Sequence, residues 1–284
     1  MENAIAQHPQ SAPVYTAQAQ LFLAQGQTAA AEESLLKGIQ QAPQAIRLRM
    51  ELGQLYRALG QRSEALATWE KAAQVFPDTP GPSLALATDA YTHNNFEQTL
   101  EHIQSVLDND SGHLEALLLK ARVKLKQHEY PAAKTIAQRV VKSNPNQAEA
   151  SFILALAHFG LGEGKQGQNK LQDALKADPD HVRANLLQAE ILLRERNLQQ
   201  VLEITSKVLK NHPRAIRAHM LQGQAELIQN NLEGPEADDT ITVHHGLRVF
   251  VDPASLNYIG GSSLQYEDGL QAEGFHVENP NVVS

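Results

Sequence analysis

Cysteine is absent from the 284 residues. Its absence excludes disulfides, thiol nucleophiles and thiolate metal sites within the chain. No run approaches the ~20 consecutive apolar residues that cross a bilayer. The first thirty residues lack the basic-then-apolar pattern of a secretory signal, so a cytoplasmic location is expected. No Walker loop, no Gly-x-Ser-x-Gly and no His-Glu-x-x-His is present, which leaves no catalytic residue to name. Basic excess is missing too. The net charge of −8 argues against a nucleic-acid partner, which usually meets a basic surface.

Basic residues are scarcest at one end. Residues 1–232 hold 23 basic and 23 acidic side chains, whereas residues 233–284 hold one basic residue, Arg248, and nine acidic ones. The whole acidic excess lies in the last 52 residues. A break this sharp, beside the chain-breaking pair Gly234 and Pro235, marks a domain boundary.

What the first region has is a period. Pro9, Pro43, Pro77, Pro145, Pro179 and Pro213 fall on one grid of 34, and Ser111 takes the remaining slot. With the proline at repeat position 32, six repeats span 12–215. Residues 216–232 give the first helix of a seventh, and residues 1–11 read as the tail of an earlier one, so the chain is expected to be a fragment or a fusion. Position 8 is always small: Ala19, Gly53, Ala87, Ala121, Ala155, Ala189 and Gly223. Position 24 is bulky in most repeats, as Leu35, Trp69, Ile103 and Leu171. Small against large at these two positions is what two closely packed antiparallel helices require. Proline ends the second helix because it cannot continue the hydrogen-bond ladder. Asp78, Asn146 and Asp180 follow it and are expected to cap the next helix. Pro131 falls near the start of a second helix, where its missing N–H costs little.

This pattern resembles the tetratricopeptide-repeat family. The fold class it implies is mainly α: an α-solenoid, a right-handed superhelix of helix pairs. Each pair has an apolar face that only a stacked neighbour hides. A small, incomplete α+β segment is expected at 233–284.

That segment alternates like strands at Ile241–Val243 and Leu247–Val251. A helix start is expected at Asp252–Ser255, a break at Gly260 and Gly261, and a hairpin between Leu264–Leu270 and Phe275–Glu278 turning at Ala272–Gly274. The run Gly246–Asp252, with Ser255, Tyr258, Gly261, Tyr266, Gly274, Phe275 and Asn279–Asn281, resembles the C-terminal half of an A-type iron–sulfur carrier of the HesB/IscA family. The resemblance implies a β-rich fold fragment and a tie to iron–sulfur cluster assembly proteins. The family's three cysteine ligands have no counterpart here, so no cofactor is expected in this chain.

The concave face of the solenoid should be lined by repeat positions 2, 5, 9, 12 and 13 of the first helices. Positions 5 and 12 are Leu84 and Tyr91, Leu118 and Leu125, Phe152 and Phe159, Leu186 and Leu193. Either they line a groove that takes an extended peptide or an amphipathic helix of a protein partner, or they pack against the neighbouring repeat. If they line a groove, alanine at Phe152 or Phe159 costs little stability. Arg122, Lys126 and Arg194 are the cations on that face, available to acidic groups of the partner or simply solvated. His244, His245 and His276 are the conceivable metal ligands, but neighbours on a strand point to opposite faces, and no metal site is assigned. The stretch Gly160–Gly167 reads as an inter-helix turn and not as a phosphate cradle. The expected function is a non-enzymatic interaction scaffold tied to iron–sulfur assembly. The alternative is a repeat protein of bacterial envelope or exopolysaccharide export, which would place it in the periplasm.

Overall fold

The helix starts repeat every 34 residues. In the computed structural model, which describes residues 7–229 and the strand backbones of 240–244, 247–251, 263–269 and 272–278, the first helices of successive pairs are α1 (Ala12–Ala24), α3 (Ile46–Ala58), α5 (Pro80–Thr92), α7 (Leu114–Lys126), α9 (Ala148–Gly160), α11 (Val182–Arg194) and α13 (Ile216–Gln229). The second helices are α2 (Thr28–Gln41), α4 (Arg62–Val75), α6 (Phe96–Asn109), α8 (Tyr130–Ser143), α10 (Gly164–Ala177) and α12 (Leu198–Asn211). The chain forms two compact units, Met1–Ala184 and Asn185–Ser284.

Packing inside the first unit follows the small-against-large rule. Trp69 on α4 is fully buried, and a methyl group on Gly53 of α3 would sit only 2.1 Å from its Nε1. Glycine is therefore the residue that lets this ring lie between the helices. Tyr15, Leu35, Leu48 and Leu52 form one core, and Ile103, Val106, Leu117, Leu119, Val140 and Ile153 belong to another. Pro131 occupies the first turn of α8 as expected.

The turn between paired helices is also periodic. Gly26, Gly60, Asn94, His128, Gly162 and Arg196 all have left-handed φ, between 56° and 75°, and all occupy repeat position 15. Each stops its helix where the chain must reverse. Only glycine adopts this conformation without strain. A methyl group on Gly60 would touch nothing within 4 Å, so its replacement tests conformation alone. Gly60→Ala is expected to destabilise by ~1–2 kcal/mol and Arg196→Gly to shift stability the opposite way. Urea midpoints of the two variants check both signs.

The helix caps differ from expectation. The N-caps of α5 and α9 are Thr79 and Gln147, one residue beyond Asp78 and Asn146, and neither makes a side-chain cap bond. Asp180 likewise sits inside the turn, where its N–H donates to Asp178. The capping position is repeat position 34. Histidine fills it twice: His113 Nδ1 accepts from the Ala116 N–H and His181 Nδ1 from the Ala184 N–H.

In the second unit β1 (Thr240–His244) pairs antiparallel with β2 (Leu247–Val251), and β3 (Ser263–Gly269) with β4 (Ala272–Glu278). The β3–β4 hairpin turns earlier than expected. Gly269 is opposite Ala272, so Ala272–Gly274 are strand residues and not a turn. The register that results sets Leu264 opposite Val277 and Tyr266 opposite Phe275, matching apolar positions across the ladder. The expected helix start at Asp252–Ser255, the break at Gly260 and Gly261, the Asn279–Asn281 turn, and residues 1–6 of the N-terminal tail lie outside the described residues.

Candidate partner-binding face

Position 5 is not a groove lining. Leu84, Leu118, Phe152 and Leu186 are all buried, at 7, 8, 4 and 7% exposure. The physical reason is visible at Phe152. The His181 ring lies 5.1 Å away, tilted by 43°, and the Arg183 guanidinium carbon sits 5.1 Å from the ring centre. The start of the following repeat thus covers it. Position 12 is shallower: Tyr91, Leu125, Phe159 and Leu193 are half-buried. Tyr91 and Leu125 lean on the central core. The Phe159 ring lies over Gly167, where a methyl group would approach to 2.7 Å. Phe159 therefore belongs in part to the helix-pair interface.

Of the expected cations, Arg122 is engaged within the chain. Its Nε donates to Glu149 Oε1 at 2.9 Å. Lys126 and Arg194 are exposed, and among the described residues they form no ion pair.

Glu149 joins residues that sequence reasoning did not single out. Arg183 Nη2 donates to the same Oε1 at 2.5 Å, and His181 Nε2 lies 3.0 Å from Oε2. Because His181 Nδ1 already accepts the Ala184 N–H, Nε2 carries the proton and donates. The signal for these residues was on the grid. Glu149 and Arg183 share position 2, Arg122 holds position 9, and both positions belong to the expected face. The Glu149 side chain is 14% exposed, Arg122 33% and Arg183 51%. Burial alone would raise the Glu149 carboxyl. The hydrogen bonds from His181 and Arg183, with the charges of Arg122 and Arg183, outweigh it and hold the group at about 2. Burial raises the Tyr91 hydroxyl, while Arg122 and Arg183 pull it down and Glu149 pushes it up, so Tyr91 lies in the same field.

A carboxylate whose folded pKa is depressed stabilises the fold above its unfolded value and loses that contribution as pH falls. The contribution of Glu149 is therefore present above pH ~4.5 and fades toward pH 2. Melting temperatures measured across that window are expected to fall in the wild type and to fall less in Glu149→Gln.

Similar pairs bind other repeats together. Arg62 Nη2 meets the buried Asp89 at 2.5 Å. Glu163 accepts from Lys134 at 2.6 Å and faces His158 Nδ1 at 2.5 Å. In the stretch Gly160–Gly167 only Gly162 has left-handed φ, while Gly160, Gly164 and Gly167 are helical. Among the described residues no group of three metal-ligating side chains occurs. His245 and the side chains of His244 and His276 lie outside them.

Residues 22–87 and 90–157 match the tetratricopeptide repeat family model, which is close to half of the chain. The helix pairs form a tetratricopeptide-repeat α-solenoid. Residues 126–204 of the tetratricopeptide array also match the model for anaphase-promoting complex, cyclosome, subunit 3. A tetratricopeptide repeat protein from Parabacteroides merdae is similar in structure, with a TM-score of 0.62 and 18% identity over 79% of this chain and 89% of that one. YrrB, a tetratricopeptide protein with an unusual peptide-binding site, gives a TM-score of 0.50 and 19% identity over 67% of this chain and 97% of its own. A separate similarity runs over 52 residues: the iron–sulfur cluster insertion protein ErpA of Marinobacter nauticus is 40% identical there, covering 18% of this chain and 47% of the relative. The chain thus spans about half the length of that curated relative or less of the others. Among the described residues no helix is long and apolar enough to cross a membrane.

Proposed function

We propose that the chain is a protein-interaction scaffold. Its first-helix face receives a peptide or helix of a partner, and its C-terminal segment ties that partner to iron–sulfur cluster assembly. The observation that carries the docking face is the shallow line of Tyr91, Leu125 and Phe159 beside the partly exposed Arg122 and Arg183. Half-buried apolar side chains next to solvent-reaching guanidinium groups are the composition of a recognition surface. The tie to cluster assembly is supported by the 52-residue similarity to cluster insertion proteins, equal in length to the acidic segment 233–284. In this reading the chain contributes no thiolate ligand, since it has no cysteine. It brings proteins together and leaves the cluster to them.

Biolayer interferometry of the whole chain over immobilised Marinobacter nauticus ErpA tests the reading. Binding that weakens in Leu125→Asp is expected. Absence of binding removes the tie to iron–sulfur assembly, and binding unaffected by Leu125→Asp removes the docking face.

A further inference from the structure

The Glu149 cluster holds two guanidinium groups and one carboxylate. Both Arg122 and Arg183 direct a donor at the same oxygen of that carboxylate. Their mutual repulsion is offset by Glu149, but only one of the two positive charges is balanced.

The donors are also in surplus. Among the described residues Arg122 uses only Nε and Arg183 only Nη2, leaving most of the five N–H groups of each fork unbonded within the protein. Arg183 is braced against the face of Phe152, which fixes its plane and reduces the entropy lost when a ligand is received. The exposures are graded in the useful direction. Glu149 lies inside, and both guanidinium groups reach solvent. The half-buried Tyr91 adds an apolar flank with a hydroxyl.

We propose that Arg122 and Arg183 form a receptor for a single carboxylate side chain, aspartate or glutamate, of an extended partner segment, with Glu149 as the residue that positions them. The proposal rests on the scaffold reading above. A monoanion matches the one unbalanced charge, whereas a phosphate dianion would exceed it. The apolar neighbours Tyr91 and Leu125 favour a segment in which the acid is flanked by a leucine-sized residue.

Fluorescence anisotropy of the whole chain tests this with two fluorescein-labelled decapeptides. In one, glutamate and leucine alternate between glycines; in the other, glutamine replaces glutamate. The glutamate peptide is expected to bind about tenfold more tightly, and Arg183→Gln to erase that preference. Glu149→Gln keeps an amide oxygen to accept from both guanidinium groups while it removes the competing negative charge, and is expected to tighten the glutamate peptide, which a merely structural role for Glu149 would not do. Circular dichroism melts establish that each variant is folded. Arg183→Gln, half-exposed, carries the test if Glu149→Gln unfolds. Equal affinity for the two peptides, an unaffected Arg183→Gln, or stronger displacement by inorganic phosphate than by acetate at matched ionic strength overturns the assignment. The same holds if neither peptide binds. ErpA binding that persists in any of these outcomes leaves the scaffold reading standing.

Discussion

Trp69→Ala is expected to cost ~3–5 kcal/mol of folding stability, the range for a large aromatic deleted from a close-packed interior. The ring is 1% exposed and fills the space that Gly53 leaves open. Its Nε1 is buried without a hydrogen-bond partner, so truncation loses packing and the contact of the Arg57 guanidinium, 5.8 Å from the ring centre, and no hydrogen bond. The pairing gives a second, sharper expectation. Gly53→Ala drives a methyl group into the indole and destabilises the wild type, although alanine favours a helix over glycine by ~1 kcal/mol. In the Trp69→Ala background the clash is gone, and Gly53→Ala should be neutral or stabilising. Guanidinium unfolding of the four proteins in this cycle measures the coupling. Leu36→Ala, on an exposed residue, is the control and should shift stability by less than ~0.5 kcal/mol.

Phe152→Ala is the second large effect, again ~3–5 kcal/mol. An open groove would have made this change nearly silent, as the sequence reading allowed. Burial at 4%, with His181 and Arg183 across the ring, makes it a core change. It should also loosen the Glu149 cluster and flatten the acid side of the stability profile. Leu227→Ala on α13, at 57% exposure, should barely move the melting temperature. Thermal melts of the two variants at neutral and acid pH separate these effects.

The repeat itself was legible because its cause is local. A proline is excluded from a helix interior though not from its first turn, and a 34-residue proline grid therefore bounds where the second helices end. The small residue at position 8 and the large one at position 24 were legible for the same reason: each answers to a single neighbour inside its own repeat. Depth on the first-helix face was not legible. Leucine and phenylalanine at position 5 suit a groove or an interface equally well, and only the residues at the start of the next repeat decide between them. Glu149 was missed because its value comes from three partners, Arg122 on α7, Arg183 on α11 and His181 just before it, none close in sequence. Histidine caps were missed because Ser, Thr, Asp and Asn lead that position by propensity, and Asp78 and Asn146 drew the assignment one residue early. At the β3–β4 hairpin, Gly274 suggested a turn, and the cross-strand match of Tyr266 with Phe275 moved it.

The central claim is that partners dock on the first-helix face. Site-specific photocrosslinking tests it most directly. Benzoylphenylalanine in place of the exposed Lys126 on α7 is expected to crosslink to bound ErpA on illumination, while the same group in place of the exposed Leu36 on α2 is expected to give none. Crosslinking from Leu36 without crosslinking from Lys126 would place the partner on the second helices and contradict the account.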